Sequence, residues 1–287
     1  MSSLRNQLLV VNLNISCWEA RKQDKKVSKE VAQTHAVSSA VGRYHKDLLP
    51  DADEHKAILK IRNAWRVWHA ENTLPWGDNG ARVIRSAAFM DYTAGYRGFK
   101  DLFDSACENF YTVYPKLVAE AEFKLNTLFD PQEYPTVQTI QDKFRANLST
   151  YPLPNTDDFR IIEGLTPDEA DELRAQAIDG LNEQITAAIK DLWGRLHLVV
   201  SNMSERLKLG EDGKPLKFHD TLVENMRELL YRVPQLNLTG DPEIKRYSSE
   251  MQALLAHSPD TLRNDIAARS EVSAKAAELA KRMSCFV

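Results

Sequence analysis

Residues 8–18, LLVVNLNISCW, set Leu9, Val11, Leu13 and Ile15 in alternation with Val10, Asn12, Asn14 and Ser16. A period of two predicts a strand with one covered face. After Pro50-Asp51 the period changes. Ile58, Ile61, Trp65 and Trp68 recur at spacings of three and four, widened by Ala57 and Ala64, and predict an amphipathic helix that ends before Pro75. The cluster Pro75-Trp76-Gly77-Asp78-Asn79-Gly80 reads as a turn, and Ala81–Ser86 as a short strand that hairpins with the first.

From Phe89 to Leu128 the pattern is helical again, through Phe99, Leu102, Phe103, Ala106, Phe110, Val113, Leu117, Ala121, Leu125 and Leu128. Pro115 removes one backbone donor and predicts a kink there. Residues 129–165 carry four prolines, a short helix over Val137–Phe144, and strands over Phe144–Tyr151 and Phe159–Ile162. Thr166-Pro167-Asp168-Glu169 then combines an N-cap, a proline at the first helical position and a capping-box Glu. Apolar positions step by three or four from Leu173 to Leu207 before Gly210, which predicts a rod of about 42 residues and roughly 60 Å. Three further helices follow: Phe218–Tyr231 stopped by Pro234, one opened by Pro242, and a last one opened by Pro259.

These elements predict a mainly α fold. The expected architecture is a long antiparallel helical pair, an elongated bundle of coiled-coil character, with a small β-containing part near the N-terminus and an insert at the tip. The corresponding parts are an α+β segment 1–88, a helical hairpin from 89–128 and 166–210, a tip insert 129–165, and C-terminal helices 211–287 packing on the bundle. Long rods leave apolar stripes uncovered, so a homo-oligomer is expected.

Composition narrows the function classes. Of 287 residues, 43% are hydrophobic and 27% charged, and the net charge of −4 argues against a surface that grips nucleic acid everywhere. Gly is scarce at 11 residues, which favours helix over turn-rich β structure. Cys17, Cys107 and Cys285 are far apart and odd in number, as in a reducing cytosol. The opening residues lack the unbroken apolar run of a signal peptide, and no stretch reaches 18 apolar residues, so a cytoplasmic protein is expected, in the bacterial host if phage-encoded.

No motif points to catalysis. The chain has no Gly-rich phosphate loop, no His-Glu-x-x-His and no nucleophile elbow. Neither catalytic residues nor a cofactor is assigned. His45, Asp51, Asp53 and His55 are close in sequence without the spacing of a closed metal site, and no metal is expected. Asp157-Asp158 and Asp168-Glu169 form carboxylate clusters, the second placed where a helix N-terminus favours negative charge. Cys107 and His197 read as core or its flank. Trp193, one residue off the Leu192 seam, is a candidate partner-interface anchor. Lys25 and Lys26 belong to a basic stretch that also holds Arg21, Lys22 and Lys29. With Arg62, Trp65 and Arg66 they form a candidate single-strand nucleic-acid surface, in which bases stack on Trp65 and the cations meet phosphates. The competing reading buries both indoles of the 56–72 helix and lays the Arg stems over their rims.

Asn12–Trp18 with the following Ala20-Arg-Lys, together with Tyr151-Pro-Leu-Pro-Asn-Thr-Asp-Asp-Phe-Arg160, resembles a family found in phages and proteobacteria and labelled only as a domain of unknown function. The resemblance covers most of the chain and implies no active site. Members are often encoded near a MoxR-type AAA+ ATPase, which implies an accessory role. The leading expectation is therefore a non-catalytic helical interaction or assembly protein of a phage or bacterium, accessory to such an ATPase. The alternative is the nucleic-acid-binding protein described above. An enzyme with a site assembled from scattered residues comes third.

Overall fold

A computed structural model describes residues 6–153, 164, 166–210 and 213–287. The elements in chain order are β1 (Leu8–Ser16), β2 (Arg21–Gln23), α1 (Lys25–Thr34), β3 (His45–Asp47), α2 (Asp53–Glu71), β4 (Leu74–Pro75), β5 (Arg82–Arg85), α3 (Phe89–Leu125), α4 (Val137–Gln141), β6 (Arg145–Pro152), α5 (Pro167–Leu207), α6 (Thr221–Leu236), α7 (Pro242–Leu254), α8 (Pro259–Asn264) and α9 (Ile266–Met283). The fold is mainly α. One sheet has the strand order β4-β5-β1-β6, and a second pairs β2 with β3. The hairpin partner of the first strand is as expected: β5 runs antiparallel to β1, with Leu8 opposite Arg85 and Val11 opposite Arg82.

The chain forms two compact units. The first comprises residues 1–12, 68–92 and 149–287, the second 13–67 and 93–148. In the first, one face of α5 (Ala188, Leu192, Trp193, Leu196, Val200, Met203, Leu207) is buried against Val272, Ala276, Leu279 and Met283 of α9 and against α6. These C-terminal helices fill the seam of the rod within its unit. In the second unit the rings of Trp65, Phe103, Phe110, Tyr114 and Phe144 form the core with Ile58, Leu48 and Ile140.

Local signals explain most boundaries. Thr166 accepts from the Glu169 N–H, and the Glu169 carboxylate accepts from the Thr166 N–H, completing the predicted capping box. Asp241 and Ser258 cap the helices that Pro242 and Pro259 open. Two boundaries differ. Pro234 does not stop α6, which runs to Leu236. Near the last turn a proline forfeits only one donor, so the helix continues past it. The C-terminal helix is two helices, because Asp265, extended at φ −109° and ψ 104°, accepts from the N–H groups of Ala267 and Ala268 and starts α9. The strand expected over Phe159–Ile162 and the Asp157-Asp158 pair lie outside the described residues.

Candidate functional site

The residues proposed to bind single strands are placed in the second unit, and the structure separates them. Trp65 is fully buried. Its indole stacks on Phe99 at 5.9 Å with the planes 10° apart, and packs on Tyr96 at 5.3 Å. No face is open to a base, which corrects the nucleic-acid reading at its central residue. The buried arc of α2 runs through His55, Ile58, Trp65 and His69, while Ala57 and Ala64 are exposed. That rotation draws Arg62 inward: its side chain is 12% exposed and is ion-paired with Glu19. Arg66 donates to the Ile15 carbonyl at 3.0 Å. Both cations therefore tie α2 to the end of β1 and the segment after it, Arg62 from a covered position and Arg66 from an exposed one.

Trp193 is also corrected. It is buried, stacked on Phe286 at 4.3 Å and set edge-on to Tyr247 at 5.4 Å. Its anchor role is internal to the first unit. The four residues considered for a metal do not converge. His55 is hydrogen-bonded to the Trp18 carbonyl at 2.7 Å beside Phe110, Asp51 pairs with Lys124, and Asp53 pairs with Lys56. Cys107 is core, as its helical spacing suggested, and burial pushes its thiol up to about 12.

Lys25 and Lys26 remain at the surface, on an element the core does not use. No residue of α1 is buried. The Asp24 carboxylate caps it, accepting from the N–H groups of Lys26 and Val27 at 2.9 and 3.0 Å. Behind the cap lies Lys46, 5% exposed, which bridges Glu133 at 2.7 Å, the Leu128 carbonyl at 2.6 Å and Asp24 at 3.8 Å. A buried lysine between two carboxylates fixes the start of α1 to the 128–133 segment. The loop after α1 folds back on it. Val37 N–H donates to the Ala32 carbonyl at 2.9 Å, Asp24 N–H donates to the Tyr44 carbonyl, and the Tyr44 N–H donates to Ser28 Oγ, both at 3.0 Å.

Between helix and loop is a cleft of about 500 Å³ lined by Ser28, Val31, Ala32, His35, Val37 and Tyr44 among others. Four large apolar side chains stand open there: Val31, Val37, Val41 and Tyr44, with Val41 73% exposed. Around it the charge is one-sided. Residues 21–46 hold seven Lys and Arg against Asp24 and Glu30, and apart from the buried Lys46 and from Lys22, both paired with Glu133, five of these cations are left for the surface in a chain of net charge −4. A contiguous apolar surface with a charged rim marks a binding surface more often than scattered exposed residues do. The composition of 31–44 (Val, Ala, Ser, Gly) hid this from periodicity, because half of the apolar face comes from a loop.

No family model, curated protein or solved structure matches this chain.

Proposed function

We propose that this protein is a helical interaction module that seats an acidic amphipathic helix of a partner in the cleft between α1 and residues 35–44. The observation that carries this reading is the pairing of four exposed apolar side chains with an excess of basic residues on one rigidly capped element. A helix laid in such a groove inserts side chains at spacings of three and four, while its acidic face meets Lys25, Lys29 and Arg43 at the rim. An accessory role beside an AAA+ ATPase, implied by the family resemblance, is one form of this proposal: the ATPase would present the acidic helix. No helix among the described residues is long and apolar enough to cross a membrane.

The test is fluorescence anisotropy with a labelled peptide of alternating Leu and Glu at helical spacing. The wild-type chain binds it, and salt weakens the binding. Val31→Asp with Val41→Asp removes it, and Lys25→Glu with Arg43→Glu weakens it at least about tenfold. Because these side chains are exposed, all four changes leave the fold intact. Equal affinity for a basic peptide of the same pattern overturns the reading, and so does binding only to anionic vesicles.

A further inference from the structure

An arginine in the first unit lacks what its neighbours have. Arg82 donates to the carbonyls of Ala70 and Thr73, and Arg195 pairs with Asp191. Arg232 pairs with Glu71 and Glu228, and Arg269 donates to four carbonyls. Arg85, at the end of β5, has no carboxylate or carbonyl acceptor among the described residues, although its Nε is buried. A guanidinium without an internal acceptor gains from an anion that reaches its terminal nitrogens.

Arg85 lines a cavity of about 460 Å³ with Leu230, Val233, Pro234, Lys245, Ser248 and Ser249 among others. Lys245, Ser248 and Ser249 fall at i, i+3 and i+4 of α7, so they share one face. Lys245 is exposed and also has no acidic partner among the described residues. The Ser248 and Ser249 hydroxyls donate to the carbonyls of Ile244 and Lys245 at 2.7 and 3.1 Å, and each can serve an anion by rotating its one proton away from that carbonyl. The lining from α6 is apolar, Leu230, Val233 and the ring of Pro234, and Asn237 and Gly240 complete it. Two cations and two hydroxyls that line one cavity together with aliphatic surface form a site for an anion that carries an apolar group. The volume falls in the range of small-molecule sites.

We infer that this cavity binds an organic phosphomonoester, with the phosphate between Arg85 and Lys245 and its apolar substituent against Leu230, Val233 and Pro234. A planar fork and a point charge together suit a dianion with three terminal oxygens better than a single carboxylate. This site is independent of the α1 surface and stands if that reading fails.

The experiment is isothermal titration of the full chain with phenyl phosphate, benzoate and inorganic phosphate, and sedimentation with vesicles containing phosphatidic acid. Phenyl phosphate binds, inorganic phosphate and benzoate bind at least roughly tenfold more weakly, and Arg85→Gln weakens phenyl phosphate binding by a similar factor. Lys245→Gln, a change at an exposed position, weakens it as well and covers the case in which Arg85→Gln fails to fold. Vesicle binding that Lys245→Gln abolishes identifies the phosphomonoester as a lipid headgroup, and its absence identifies a soluble ligand. The inference is overturned if neither phenyl phosphate at up to about 10 mM nor the vesicles bind. It is also overturned if benzoate binds as well as phenyl phosphate, or if both variants bind like wild type.

Discussion

Trp65 shows how a single residue decides between two functions. Ringed by Tyr96, Phe99 and Phe103, it is the largest fully buried side chain among the described residues, and its indole N–H has no acceptor among them. Trp65→Ala should cost about 3–5 kcal/mol in urea unfolding, the range of large core deletions. Trp65→Phe should cost clearly less, because it keeps much of the ring and removes the orphan donor. His69 gives a pH signature. It is buried against Tyr92 at 2.7 Å, and burial, helped by the Arg82 charge, pulls its pKa down to about 4. The unfolded imidazole takes its proton near 6.5, so between about 6.5 and 4 the unfolded chain binds more protons than the folded one. Its contribution is complete above about 6.5, declines as pH falls, and levels off below 4. The loss is up to roughly 3 kcal/mol. Comparing wild type with His69→Gln at pH 7 and pH 4.5 checks this: the variant should lose less stability on acidification.

At the scale of elements, helix ends in the first unit are closed by arginines. Arg82 and Arg195 both reach the Ala70 and Thr73 carbonyls at the end of α2. Arg269, 1% exposed, donates to the carbonyls of Arg206 and Leu207 at the end of α5, and to those of Leu216 and Leu262. A cation there also meets the negative end of a long helix. Arg269→Leu leaves several buried carbonyls without donors and should destabilise by at least about 2–3 kcal/mol in thermal or urea unfolding, with Arg269→Lys rescuing little of it. Start signals were legible because Thr166, Pro167 and Glu169, or Pro242 and Pro259, act within one turn of themselves. The break at Asp265 was not, since one Asp inside an Ala-rich run reads equally well as a solvated helix position. The helical spacing of α5 showed which face is buried but not that α9 and α6 cover it, because an apolar stripe does not name its partner.

At the scale of the whole chain, every passage between the two units falls inside a regular element: within β1, α2, α3 and β6. No glycine- or proline-rich linker marks these points, so composition could not show the division. The expected homo-oligomer rested on rods with uncovered stripes. For α5 that reason is gone, since α9 and α6 cover its stripe within the same chain. What stays open is the α1 surface, whose basic half was legible in residues 21–29 and whose apolar half emerged only when the loop 35–44 folded back onto the helix. The Arg85 cavity was silent in the sequence, because an arginine at a strand end is ordinary until its neighbours are known.

The most direct test of the α1 surface as a docking site is amide hydrogen exchange of the full chain with and without the acidic amphipathic peptide. Protection on peptide addition should be confined to residues 25–44, and it should vanish in the Val31→Asp, Val41→Asp variant. Protection centred elsewhere, or the same protection in that variant, would contradict it.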